Sequence, residues 1–237
     1  MKASGNFWIL IFVFWMWIFA TACTSNEIGD SKDVAQDKIY QEYNVSYAVG
    51  DEKLTASAVF RFAGPNGTTL VLNKPSKVEL DDELIKVDSN DLSGAFYELN
   101  KFPAQWFGKH QWKFTDLSNQ TYTNDFSFDE FKWDNPPSST IKSKQLVLHF
   151  NTIELNADDY IEVNSVETDS SFSITQKANQ TKPFTVTIPV AQLQRQKQPF
   201  LKLEVTRVQK IKLINNTAEG GEFITRYSLK PVSVQLK

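Results

Sequence analysis

An all-β protein is expected from this sequence on three observations. Apolar residues alternate with polar ones over most of the chain after position 39, the alternating runs are short, and clusters rich in Gly, Pro, Asn and Asp separate them. A period of two places successive side chains on opposite faces of a strand, so each run buries one face. With 41% hydrophobic residues, 9 Gly and 9 Pro in 237 residues, the chain can fill a core and has neither disordered nor fibrous bias.

The elements follow in order. Tyr43, Val45, Tyr47 and Val49 alternate, Gly50-Asp51-Glu52 turns the chain, and Leu54, Ala56, Ala58, Phe60 and Phe62 form the next strand. Gly64-Pro65-Asn66-Gly67 is a turn, because Pro presets φ and Asn-Gly tolerates positive φ. Strands are then expected at 70–72, 78–80, 84–87 and 95–99, with Asp81-Asp82-Glu83 as an acidic corner. His110, Trp112 and Phe114 alternate, Asp116-Leu117-Ser118-Asn119 turns, and Tyr122, Phe126 and Phe128 return as a hairpin. Roughly eight short strands in about a hundred residues match the size and rhythm of an immunoglobulin-like sandwich.

Two prolines, Pro136 and Pro137, deny amides to any sheet and sit among polar residues, so 134–140 reads as a linker. A second series of strands is expected at 146–150, 160–166, 172–174, 184–188, 200–208, 223–229 and 232–236. One or two helical turns are expected over 189–196, opened by Pro189. The fold class is therefore two tandem Ig-like β-sandwich domains, 39–133 and 141–237, with no internal repeat between them. A single larger sandwich or barrel of about 200 residues is the alternative that length permits.

The first residues read as an export signal. Lys2 supplies positive charge and every residue from Phe7 to Phe19 is apolar. As a helix that run is about 20 Å long, short of a bilayer core of roughly 30 Å, and small residues follow it. Ala20-Thr21-Ala22-Cys23 resembles the lipobox of bacterial lipoproteins, with Ala20 where that family usually carries Leu. The resemblance implies removal of a signal peptide, 1–22, and acylation of Cys23, the only cysteine. An ordinary cleaved signal and an uncleaved anchor extended through Ala22 are the other readings. Lipid would place the protein on a membrane of the bacterial envelope, and Thr24 after the cysteine goes in that family with the outer membrane. Residues 23–38 are polar and read as a flexible tether.

The chemistry-bearing residues are sparse. Two histidines, His110 and His149, lie in different halves, so a histidine triad or a multi-histidine metal site has little material. A lone cysteine forms no intramolecular disulfide. A net charge of −3 with mixed signs offers no face for nucleic acid. Neither an enzyme nor a cofactor nor a metal site is expected. The acidic groups Asp81-Asp82-Glu83, Asp129-Glu130 and Asp158-Asp159 read as corners between strands, with a two-carboxylate hydrolase as a minor alternative. Asp88-Ser89-Asn90 opens like a calcium loop, but Leu92 falls where an oxygen ligand should be. If the lipobox reading holds, the host is bacterial and the five Asn-x-Ser/Thr sites, at Asn44, Asn66, Asn119, Asn179 and Asn215, read as turn residues.

Aromatic residues are the least ordinary feature. Phe102, Trp106, Phe107 and Trp112 crowd the end of the first series, and 102–108 reads as a loop. Exposed aromatics stack on sugar rings or anchor a protein interface, and buried ones cap a core. The leading expectation is a lipid-anchored envelope module that presents its loops to a partner protein. A glycan-binding protein with a platform of Trp106, Phe107 and Trp112 is the rival.

Overall fold

The computed structural model describes residues 27–90, 93–151, 155–166, 170–177 and 184–237. The expected leader and Cys23 lie outside the described residues. In the first half the strands are β1 (Ile28–Asp30), β2 (Ile39–Ala48), β3 (Leu54–Phe62), β4 (Thr69–Val71), β5 (Lys77–Leu80), β6 (Glu83–Ile85), β7 (Val87–Asn90), β8 (Gly94–Lys101), β9 (Gly108–Thr115) and β10 (Thr121–Phe128). In the second they are β11 (Ser139–Thr140), β12 (Leu146–His149), β13 (Tyr160–Ser165), β14 (Ser173–Lys177), β15 (Thr185–Ile188), β16 (Phe200–Ile211), β17 (Gly221–Ser228) and β18 (Val232–Leu236). One short α-helix, Val190–Arg195, stands among the described residues after Pro189, where the sequence predicts it. The molecule is mostly β, as the period of two requires.

The strands form sandwich-like layers. The large sheet runs β1-β4-β3-β2-β17-β16-β13-β14, with β8 joining β3, β7 joining β8, and β18 carrying β11 on to β16. A four-stranded sheet, β10-β9-β5-β6, and the pair β12-β15 complete the strand set. Alternation on each strand supplies the core. Ile39, Gln41, Tyr43 and Val45 of β2 are buried, as are Leu54, Ala56, Ala58 and Phe60 of β3. From the four-stranded sheet, Trp112 stacks on Tyr43 with ring centroids 4.9 Å apart, and Phe114 meets Phe60 at 4.6 Å. Phe126 meets Phe223 of β17 edge-on at 4.8 Å.

The strand order joins the two halves of the sequence. β17 pairs in parallel with β2 over eight residues, from Gly221 opposite Gln41 to Ser228 opposite Ala48. Where the sequence reading has two sandwiches divided at 134–140, the structure has one large sheet shared by both halves, closer to the single-sandwich alternative. Local composition marks Pro136-Pro137 as a break in the strand pattern, but says nothing of which strands pair across it.

The expected tether also differs in part. β1 pairs in parallel with β4, and Ser31 is fully buried, its hydroxyl accepting a hydrogen bond from the Asn73 amide at 2.8 Å. The Gln36 side-chain amide donates to the Ser31 and Val34 carbonyls at 2.8 and 2.9 Å. Ser31 binds the backbone just beyond β4 and Gln36 ties the segment to itself, so residues 28–38 belong to the folded body.

Gly221 tests the seam between halves. A Cβ at that position would run into the Gln41 carbonyl oxygen and the Leu213 side chain. Gly221→Ala should therefore lower stability by about 3 kcal/mol, the upper range of an overpacked core. Chemical denaturation measures it, and an unchanged midpoint would show that the β2-β17 contact is looser than described.

Candidate functional site

The loop that the sequence singles out is held at several points. Phe102 precedes a single 3-10 turn, Pro103–Gln105, and the Trp106 amide closes it on the Pro103 carbonyl at 3.0 Å. Gly108 then enters β9 with φ +124, a conformation that favours glycine. The Trp106 ring lies flat on His110, centroids 3.8 Å apart and planes 13° from parallel. One residue, Gln111, separates His110 from Trp112 along β9, so both point the same way.

His110 acts as a clasp. Its Nδ1 is 2.7 Å from Asp81 Oδ2 and its Nε2 is 2.6 Å from the Trp106 carbonyl oxygen. The ring therefore bridges the β5-β6 corner and the loop backbone, one nitrogen to each. Asp81 is itself placed by backbone. Its Oδ1 accepts the Gln111 amide at 2.9 Å, and its own amide donates to the Gln111 carbonyl at 3.0 Å. Asp81 and Asp82, at φ +52 and +62, form the tight hairpin between β5 and β6.

This packing divides the aromatic candidates. Trp112 is fully buried in the core, and Trp106 is 6% exposed. Phe102 is 55% exposed and Phe107 37% exposed. A stacking platform of Trp106, Phe107 and Trp112 is therefore not formed, because two of its three rings are used for packing. Phe102 stands beside Lys53, whose Nζ is 6.0 Å from the ring centroid. Phe107 leans on Tyr47, Phe128 and Tyr227 at 6.0 to 6.3 Å. It borders a cavity of about 340 Å³ shared with Tyr47, Phe131, Trp133 and Tyr227.

Most carboxylates of the acidic corners, those of Asp81, Asp82, Glu83, Glu130 and Asp159, are engaged. Asp82 pairs with Lys113 and Glu83 with Lys101, and Lys113 holds the Asp82 carboxyl below its ordinary range. Glu130 pairs with Lys132 at 3.2 Å. Asp159 is fully buried, accepting the Asn156 and Lys210 amides at 2.8 and 2.9 Å, a turn lock between strands. Asp88 and Asn90 lie on β7, where Asp88 caps the Ser89 amide at 2.7 Å and Asn90 the Ser93 amide at 2.8 Å. Residues 91 and 92 of the calcium-like stretch lie outside the described residues. Among the described residues no three His, Cys, Asp or Glu side chains converge on a metal position.

Sequence reading misses a second concavity, a groove of about 950 Å³ between the β4-β5 connection and the strands β6 and β7. Its apolar lining includes Leu72, Pro75, Leu84, Ile85 and Val87. Residues 84–87 read as one strand from sequence, but the chain breaks at Lys86. β6 ends in the four-stranded sheet and β7 begins in the large one. Two apolar residues, Leu84 and Val87, on either side of that break are the signal that marks it.

No family model matches the chain, and no curated protein matches it. Among solved structures it has a weak similarity to Ig-like domain proteins. The two-domain DIP-gamma IG1+IG2 is 10% identical over 83% of this chain and 95% of that one, with a TM-score of 0.22. A structure of a 1.5-MDa bacterial ice-binding adhesin is 11% identical over 86% of this chain and 66% of that one, at 0.24. Dpr11 IG1 bound to DIP-gamma IG+IG2 is 9% identical over 81% and 96%, at 0.23.

The clasp carries a measurable load. His110→Phe keeps a flat ring against Trp106 and removes both hydrogen bonds, and should lower stability by about 1–3 kcal/mol. His110→Ala removes the stack as well and should lose more. Equal stability of the Phe variant and the unmodified protein in thermal melts would show that the two bonds carry nothing.

Proposed function

We propose that the chain is a binding module of a bacterial cell envelope, moored to a membrane by lipid on Cys23 and presenting the clasped end of its sandwich to a partner protein. The observation that supports this is the state of Phe102 and Phe107. Both are exposed, yet both flank a turn fixed by the Trp106-His110 stack and the His110-Asp81 contact. Apolar side chains held in place before binding lose little freedom on contact, so more of their burial counts towards affinity. The cavity beside Phe107 adds a recess with an aromatic wall, the setting in which interface anchors concentrate.

The anchor rests on the leader sequence. If Cys23 is the first mature residue, four peptide steps lead to Glu27, at most about 14 Å of extended chain. Acylation would then hold the body against the membrane surface, each buried methylene contributing about 0.8 kcal/mol. A partner in the same membrane or its periphery would meet a restricted set of orientations.

Two measurements test the reading. Mass spectrometry of membrane-extracted protein should show a chain starting at Cys23 with added acyl mass, and an intact Met1 would remove the anchor. A photo-crosslinking residue at position 102 in producing cells should join one envelope protein, with the product lost in Phe107→Ser and kept in Phe200→Ser, a change at another exposed phenylalanine. The same products from positions 102 and 200 would overturn the partner surface. Binding to a glycan array, lost in the same Phe107 variant, would turn it over to a sugar ligand.

A further inference from the structure

The groove between the β4-β5 connection and β6-β7 has features that core packing does not call for. It is walled by apolar side chains, yet Leu84 is 56% and Val87 42% exposed, so burial there is incomplete. Lys74, Lys77 and Lys86 line the same groove, and among the described residues no carboxylate does. Lys77 is paired with Glu79 at 2.9 Å. Lys74 and Lys86 have no ion pair among the described residues and come from two different segments facing the same space.

Tyr97 adds a buried polar group to the lining. It is 3% exposed, and its hydroxyl accepts the Leu72 amide at 2.6 Å. Its own proton has no recipient among the described residues. Burial pushes the phenol up to about 12, so the hydroxyl stays a donor across the ordinary pH range.

We propose that this groove binds one single-chain amphiphile with an anionic carboxylate head, a long-chain fatty acid in chemical class. The alkyl chain lies against Leu72, Leu84 and Val87, and the carboxylate meets the Lys74-Lys86 rim. A volume of about 950 Å³ lies within the range of small-molecule sites and has room for one alkyl chain. A peptide strand is a poorer occupant, because β6 offers three residues and β7 four, too short an edge for strand addition. The site is separate from the aromatic loop, and the proposal does not depend on the partner reading.

The test uses the full chain, extracted from membranes and exchanged into an amphipathic polymer. Titration with dansyl-labelled undecanoic acid should give saturable binding at one site per chain, displaced by palmitate and not by hexadecanol. The double variant Lys74→Glu/Lys86→Glu should weaken binding by about tenfold or more. Leu84→Asp should weaken it similarly, while Lys202→Glu at a distant exposed position should not. Unchanged thermal melts in these surface variants keep the comparison fair. No saturable binding, equal displacement by the alcohol, or indifference to charge reversal would each overturn the proposal. Sedimentation with anionic vesicles that palmitate does not compete would overturn it too, assigning the lysines to a membrane surface.

Discussion

Residues 41–48 and 221–228 hydrogen-bond side by side and in the same direction, although about 180 positions of chain lie between them. Closing a loop of that length costs on the order of 5 kcal/mol in chain entropy, growing only slowly with further length. Both ends of the register are sealed by additional bonds. At one end the Gln41 amide donates to the Gly220 carbonyl at 3.1 Å and the Thr217 hydroxyl to the Ile39 carbonyl at 2.5 Å. At the other the Val49 amide donates to Ser228 at 2.9 Å. Because β2 lies beside β17, Tyr43 and Phe223 come within 5.9 Å, and Trp112 and Phe126 pack over them from the four-stranded sheet. Asn124 of β10 then ties down the loop before β17, its Oδ1 accepting the Ile214 amide at 2.8 Å and its Nδ2 donating to the Asn215 carbonyl at 2.7 Å. The aromatic loop and its clasp stand on this foundation, since β9 carries both His110 and Trp112.

The same interior holds a charge. Arg207 is 1% exposed on the face of β16 that also buries Leu201, Leu203 and Val205. Its guanidinium has buried nitrogens without hydrogen-bond partners among the described residues, and burial pushes its pKa down to about 10, with Asp129 and Asp159 pulling the other way. Three rings surround it, Phe128, Phe131 and Tyr227, at 5.5 to 5.9 Å from the central carbon. Arginine is the cation best suited to such a place, being planar and weakly hydrated. A desolvated cation over an aromatic face gains on the order of 2 kcal/mol, so several faces offset much of the burial penalty. Tyr227 and Phe128 also support Phe107, which links the charge in the core to one of the exposed aromatic residues.

Strand positions were legible in the sequence because side-chain alternation is a local property. Pairing across the halves was not, since nothing local distinguishes a β17 that meets β2 from one that closes a second sandwich. The aromatic cluster shows both sides of this. Trp112 shares its parity on β9 with Phe114, and that spacing already pointed inward. Trp106 lies in the loop, where parity has no meaning, and its burial depends on His110 arriving beneath it. Residues 28–38 were misleading for a related reason: a polar composition suits a solvated tether and equally suits a segment whose side chains satisfy backbone groups of a neighbouring strand.

Lysines near sheet edges have a competing explanation, since charge on an edge strand discourages pairing between molecules. That explanation suits Lys86, which sits where β6 ends and β7 begins. It does not extend to Lys74, on the connection between β4 and β5, which is not a strand and has no edge to protect. It also leaves the apolar lining between the two lysines without a purpose, because a protected edge is better served by polar side chains. The groove exists because the chain changes sheets at Lys86, leaving the two layers unsealed along that side. Cations gathered from separate segments around an apolar floor are the arrangement that an amphiphile with a negative head requires, and edge protection alone does not produce it.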